Sequence, residues 1–371
     1  MGLRRSILCV IGTRPEAIKM APVVSALTAH PSGFAVTVVA TAQHREMLDQ
    51  ILANFSIRPD IDLDMMTHNQ SLPELTARLL PALDRVLAET TPDFVLAQGD
   101  TTTVLVTALA CFYRKVRFGH VEAGLRTHNM ASPFPEEMNR TLVGRLATRH
   151  YAPTRSAEAN LRREGVPAGS IIVTGNTVID ALHYMVALAP ALPFAIPPDR
   201  RMVLVTAHRR ENFGEPFEKI LTALAGLVQG HPDIEIVYPV HPNPNVREPA
   251  YRILGHLDRV RLIEPLDYAG FVAAMVRSHL IISDSGGVQE EAPALAKPVL
   301  VLRQETERPE AVEAGVVRIV GFETGNILRE AGRLLTDRAA YAEMAKGVSP
   351  YGDGKASERI AASVTRDLKA G

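Results

Sequence analysis

The sequence predicts an α/β protein of two doubly wound domains, and three observations carry that prediction. The chain has 371 residues, which fits two domains at roughly 150 residues each. Short apolar runs alternate with helix-length amphipathic segments from end to end, the pattern of parallel sheets with helices on both faces. A stretch near 188–200, holding Pro190, Pro193, Pro197 and Pro198, divides that pattern in two. The expectation is a first domain over residues 1–187 and a second over 200–351, with a cleft between them.

The first-half strands are expected at 6–11, 35–40, 94–97, 117–120 and 171–173. The second-half strands are expected at 202–206, 234–238, 260–263, 280–282 and 298–302. Segments 72–89 and 217–228 space their apolar residues at three and four, so they read as helices. Doubly wound sheets bind ligands beyond the carboxyl ends of their strands. The residues just after each strand are therefore the informative ones.

Composition narrows the function classes. Hydrophobic residues make up 46% and charged residues 22%, which excludes a disordered, collagen-like or disulfide-built chain. Lys plus Arg is 40 and Asp plus Glu is 41. That balance provides no global field for nucleic acid or an anionic membrane, so any phosphate binding is local. Cys9 and Cys111 both lie in apolar runs and read as buried thiols of a reducing cytosol. The first apolar run ends within a strand length, so no signal peptide is expected. The longest uncharged stretch, 181–198, holds the four prolines named above and makes a poor membrane helix. The expectation is a soluble cytoplasmic protein.

After the first strand comes GTRPEAIK at 12–19, where Pro15 suits the first helical position and Arg14 and Lys19 lie near an anion-attracting helix start. The bland account is a capped helix with solvated charges. QGDTTT at 98–103 follows the third strand, and Asp100 would make a good N-cap. VEAGLR at 121–126 puts Glu122 at the next strand end, and PFPEEMNR at 133–140 opens a helix. On that helix Glu136 and Arg140 are four apart and share a face, so a surface ion pair is the simple account. Asp100, Glu122 and Glu136 together are harder to dismiss, because neighbouring carboxylates shift one another and supply acid and base forms.

In the second half, AHRRENFG at 207–214 places His208 before two arginines at a strand end, a pattern that favours an anion. SDSGGVQEE at 283–291 opens a helix with Ser285, Gly286 and Gly287, whose backbone N–H groups can approach a phosphate. Glu291, about one turn later, can bond a ribose hydroxyl. No G-x-G-x-x-G or G-x-x-x-x-G-K-[ST] motif follows a strand, and no His or Cys cluster has zinc spacing.

Nine motifs in order resemble the non-hydrolysing UDP-N-acetylglucosamine 2-epimerases of bacteria: GTRPEAIKMAP (12–22), TAQHREMLD (41–49), GDTTT (99–103), HVEAGLR (120–126), PEEMNR (135–140), TGNTVID (174–180), HRRE (208–211), SDSGGVQEEAP (283–293) and TERPE (306–310). The likeness runs on to YGDG at 351–354. It implies a GT-B fold of two Rossmann-like domains, with a C-terminal helix over 352–371 crossing back onto the first. It implies interconversion of UDP-GlcNAc and UDP-ManNAc without NAD, metal or other cofactor, supplying precursors of cell-surface polysaccharide. It also implies a homodimer. Catalytic roles carry over to Asp100, Glu122, Glu136, Arg140 and His208. UDP contacts carry over to Arg14, Lys19, Phe271, Ser285, Gly286, Gly287, Glu291 and Arg308. A neighbouring activator site for UDP-GlcNAc carries over to Gln43, Glu136, Arg210 and His241. The chain departs from the pattern at Gln98, where some relatives have His, at Phe134, where many have Trp, and at Glu46, where some have Gln.

The implied chemistry explains these residue types. The proton on carbon 2 is not α to a carbonyl, so the family expels UDP from carbon 1 as a base removes it, leaving a 2-acetamidoglucal. Re-addition from the other face inverts carbon 2. The reaction needs two proton-transfer groups and a cationic grip on the diphosphate. Retaining the intermediate calls for domain closure. A GT-B glycosyltransferase would share the Ser-Gly-Gly-x-x-Glu site, but three acids favour elimination. A non-catalytic sugar-nucleotide sensor would have lost some of those acids, and none is missing; a hydrolysing epimerase and an epimerase of UDP-diacetamido-uronic acids stay open as alternatives.

Overall fold

The computed structural model describes residues 4–31, 33–41, 51–65, 70–306 and 308–369. The chain divides into two compact units, residues 1–184 with 351–371, and residues 185–350. Each is a parallel sheet flanked by helices.

In the first unit the strands are β1 (Ser6–Ile11), β2 (Ala35–Ala40), β3 (Ile61–Asp62), β4 (Phe94–Gln98), β5 (Arg117–Val121), β6 (Arg149–Ala152) and β7 (Ile171–Val173). They line up in the order β3-β2-β1-β4-β5-β6-β7, every adjacent pair parallel. The central strands are apolar on both faces: Leu8 and Val10 pack with Val95, Ala97, Leu79 and Leu83. Two-sided burial is why they read as continuous runs in the sequence. The helix Leu72–Thr90 starts at a Ser71 capping box and buries Leu75, Leu79, Leu83 and Val86 at helical spacing. The final helix, Ala356–Lys369, belongs to this unit. Backbone N–H groups of Ala356 and Ser357 bond Asp180, and Arg149 pairs with Asp367.

In the second unit the strands are β8 (Arg201–Thr206), β9 (Ile234–Pro239), β10 (Val260–Ile263), β11 (Leu280–Ser283), β12 (Val299–Val301) and β13 (Val317–Ile319). Their order is β10-β9-β8-β11-β12-β13, again parallel throughout. Val203, Val205, Ile236, Ile282 and Leu300 form the centre of its core, covered by Phe217, Ile220, Leu224 and Leu227 of the helix Glu215–Gly230. The architecture is the Rossmann-like, doubly wound α/β class, twice over.

Three strands escape the sequence pattern. β3 has two residues and β13 three, and β6 begins with Arg149 and His150. The strand expected at 298–302 is trimmed to Val299–Val301. Cys9 and Cys111 are buried free thiols, each pushed up to about 12 by burial. Among the described residues no helix is long and apolar enough to cross a membrane.

Candidate active site

In each sheet the strand order reverses direction once, between β1 and β4 in the first unit and between β8 and β11 in the second. Loops leave those neighbouring strands in opposite directions, which opens a crevice at their carboxyl ends. Arg14, Lys19, Asp100, His208 and Ser285–Gly287 follow these strands.

In the first unit, β1 ends at Ile11 and Gly12 lets the turn pass close to the next loop. A Cβ on Gly12 would lie 2.6 Å from Thr103 Oγ1. Thr13 caps the helix Arg14–Thr28, so Arg14 takes the first helical position and Pro15 the second. Arg14 is exposed, as expected. Lys19 is not solvated: its Nζ is ion-paired with Glu122. Glu122 follows β5 with φ of 64°, a left-handed conformation that a side chain adopts only at a cost and that concentrates at functional sites. Its carboxylate also accepts from the Gln98 amide and, at 2.8 Å, from Asn176 Nδ2.

Asp100 departs from its sequence reading. Thr101 is the N-cap of the helix Thr102–Arg114, and its hydroxyl accepts from Val104 N–H. Asp100 is thereby released to pair with Arg140, Nη2 to Oδ2 at 2.6 Å. Asn139 also donates to the Asp100 carbonyl at 2.8 Å. The helix Glu136–Leu146 thus grips Asp100 by backbone and side chain. Burial pushes the Asp100 carboxyl up, Arg140 and Lys19 pull it back, and Glu122 and Glu136 push it further up. The expected Glu136–Arg140 pair is replaced: Arg140 meets Asp100 and, at 3.4 Å, Glu137. Glu137 is buried because its carboxylate accepts from the backbone of Thr127 and His128.

Glu16 completes a capping box with Thr13, and its role goes beyond it. It is 2% exposed. Its Oε2 accepts from Gly12 N–H at 2.6 Å and Thr13 N–H at 3.2 Å, and its Oε1 accepts from Thr101 Oγ1 at 2.6 Å. It therefore clamps the loop after β1 to the loop after β4. Burial pushes its carboxyl up to about 7, with the three hydrogen bonds opposing and Asp100 adding to the rise. The T-x-x-E signature was visible, but nothing in it says that the glutamate faces a second loop. His120, also unremarked, is held near 3 chiefly by burial, and this neutral ring donates to the Gly99 carbonyl at 2.7 Å.

In the second unit, His208 follows β8 and is exposed, its ring stacked on His241 with centroids 5.5 Å apart. Burial and the neighbouring His208 lower the His241 ring's proton affinity. Ser285 precedes the short helix Gly286–Glu291. A Cβ on Gly286 would lie 3.1 Å from the Arg308 guanidinium carbon, so the glycine lets Arg308 lie against the loop backbone. Arg308 Nε is held by Glu290 at 2.8 Å. Glu291 accepts from the Tyr268 hydroxyl at 2.8 Å. Phe271 sits in the first turn of the helix Tyr268–Arg277, and Arg210 is exposed in the turn Arg210–Asn212. Gln43 and Glu46 lie outside the described residues.

Comparison with known proteins finds relatives along nearly the whole chain. The UDP-N-acetylglucosamine 2-epimerase family pattern matches residues 25–365. The UDP-N-acetylglucosamine 2-epimerase of Escherichia coli K12 is 55% identical over 365 residues, covering 95% of this chain and 96% of that protein. The crystal structure of the Neisseria meningitidis UDP-GlcNAc 2-epimerase bound to UDP-GlcNAc is 48% identical, with a TM-score of 0.89 over 97% of this chain and 100% of that one. The S. aureus MnaA-UDP co-structure is 47% identical, with a TM-score of 0.87 over 98% of this chain and 97% of that one. Matched along nearly its whole length in sequence and in fold, the chain belongs to the UDP-N-acetylglucosamine 2-epimerase family.

Proposed function

We propose that the protein reversibly inverts carbon 2 of UDP-N-acetylglucosamine to give UDP-N-acetylmannosamine. The observation that carries this reading is the pair of carboxylates at adjacent strand ends, each clasped by its own cation: Asp100 by Arg140 and Glu122 by Lys19. In the forward direction a base takes the carbon 2 proton, the C–H electrons form the C1–C2 double bond, and the C1–O bond breaks to release UDP. The reverse addition delivers a proton to the other face. Asp100, its carboxyl pushed up by burial, is suited to hand over and take back a proton. Glu122 and Glu136 are the other candidate carriers. In the second unit His208, Arg308 and the start of the helix at Ser285–Gly287 would hold the diphosphate as its charge grows. Arg14 is a further candidate cation in the first unit. Phe271 and Glu291 would contact the base and the ribose. We further propose a cytoplasmic homodimer feeding cell-surface polysaccharide synthesis.

The names of the Escherichia coli and Neisseria meningitidis relatives support the substrate. The test is proton NMR of UDP-GlcNAc incubated with the enzyme, a chelator and no nicotinamide. A second sugar nucleotide with the ManNAc anomeric signal is expected. Release of UDP with free ManNAc would indicate a hydrolysing epimerase. Inertness with UDP-GlcNAc but turnover of a UDP-diacetamido-uronic acid would move the substrate class. A requirement for an acceptor sugar would indicate a glycosyltransferase.

A further inference from the structure

Asp284, next to the Ser285–Gly287 turn, has no part in the function described so far, yet it is fully buried. Burial of a carboxylate is expensive unless donors surround it. One oxygen is well supplied: Oδ2 accepts from the backbone N–H of His208 at 2.8 Å, from that of Arg209 at 2.8 Å, and from Asn212 Nδ2 at 3.3 Å. The other, Oδ1, is buried with no hydrogen-bond partner among the described residues. It lies 3.7 Å from His208 Nδ1. Asp284 is fixed from the other side too, since its own N–H bonds the Thr206 carbonyl at 3.0 Å across the β8–β11 junction. Its charge helps burial raise the Tyr238 phenol, whose hydroxyl donates to the Ala207 carbonyl at 2.5 Å.

We propose that Asp284 is a positioning residue that sets the tautomer of His208. An ionised carboxylate only accepts hydrogen bonds. A small ring rotation that shortens the 3.7 Å separation lets Oδ1 accept a hydrogen bond from an Nδ1–H. Nδ1 then keeps its proton throughout, and Nε2 becomes the nitrogen that faces a ligand and, when it carries the ring's second proton, donates to the diphosphate. The neighbouring ring has the opposite bias: His241 Nδ1 accepts from Asn243 N–H at 3.1 Å, so its proton sits on Nε2. The catalytic part of this inference rests on the proposed role of His208, while the tautomer part does not.

Asp284→Asn separates the two. The side-chain oxygen stays claimed by the His208 and Arg209 N–H groups, so the amide NH₂ must take the place of Oδ1. Nδ1 then has to accept, and the ring proton moves to Nε2. The readout is ¹⁵N NMR of histidine-labelled protein at mildly alkaline pH, with His208 assigned from the spectrum of His208→Ala. Wild type should show a protonated Nδ1, and Asp284→Asn a protonated Nε2. Turnover of Asp284→Asn should fall by roughly 10-fold or more, as when a carboxylate that orients a functional His is lost, with UDP affinity within about twofold. A wild-type Nδ1 without a proton would overturn the proposal from the native protein alone, even if the variant does not fold. An unchanged tautomer in a folded variant would do the same. A switched tautomer with undiminished turnover would overturn its catalytic part. A fully active His208→Ala enzyme with the expected wild-type tautomer would instead sink the proposed role of His208 and leave the Asp284 geometry standing.

Discussion

The two units share one plan, a parallel sheet whose order reverses once, and both place candidate residues at or beside that reversal. The chemistry at the two reversals differs. In the first unit, acids reach the strand ends and each is clasped by a cation from another element, Asp100 by Arg140 and Glu122 by Lys19. In the second, the strand ends present a histidine, glycines and an arginine, and the acids stand behind them: Asp284 beneath His208 and Glu290 beside Arg308. The fold sets where a site lies, and the side chains set what it does. On the proposed function, the first unit moves protons and the second holds negative charge.

The sharpest way to break this comparison is to neutralise one side at a time. Asp100→Asn should lower turnover on the order of a thousandfold, within the range for loss of a general acid–base group, and leave UDP affinity nearly unchanged. A variant that loses UDP affinity and keeps turnover would reverse the assignment of the two units. His208→Ala should cost on the order of a hundredfold in turnover, because the diphosphate's extra charge appears only as the glycosidic bond breaks. If the ring were only structural, melting temperature would fall and turnover per folded molecule would not.

Glu16 sharpens the comparison through pH. Its carboxyl is pushed from 4.5 to about 7 in the fold. Between those values the folded state holds a proton that the unfolded chain has released. Its stabilising contribution is therefore complete below about pH 4.5 and is lost as pH rises through 7, a swing of about 3 kcal/mol. Glu16→Gln removes the titration, so denaturant stability should shift toward the variant by up to that amount between about pH 5 and pH 8. A difference that stays flat across this range would show that Glu16 is ionised throughout.

Arg308→Ala should weaken UDP binding by about tenfold, the scale of one charge-assisted hydrogen bond, with Arg308→Lys recovering part of it. Equal loss in both variants would point to the guanidinium's contact with Glu290 as the feature that matters. The smallest expected effect concerns the proposed activator contacts. Replacing Gln43 and His241 with Ala should suppress the stimulation of the reverse reaction by trace UDP-GlcNAc, and unchanged stimulation would remove them from that role.

The sheet strands at both reversals were legible because burial on two faces leaves uninterrupted apolar runs. β6 was not, since Arg149 is drawn to Asp367, more than two hundred residues away in sequence. The acids after β4 and β5 were legible as residues and not as partners. Asp100 read as a helix cap because Asp caps well, but Thr101 one residue later does the capping. Glu136 and Arg140 have the right helical spacing for a pair, yet the Arg140 guanidinium goes to Asp100 across the loop. Glu16 and Asp284 were missed because local sequence gives each an ordinary account. Their roles lie in a loop that is distant in sequence: the one after β4 for Glu16, the one after β8 for Asp284.

The central claim is that the carbon 2 proton is removed and replaced. The most direct measurement is NMR of UDP-GlcNAc turned over in heavy water, followed at carbon 2 of both sugar nucleotides. The account predicts that every UDP-ManNAc formed carries deuterium at carbon 2, with deuterium then appearing in UDP-GlcNAc as the reaction reverses. UDP-ManNAc that keeps the original proton at carbon 2 would contradict it.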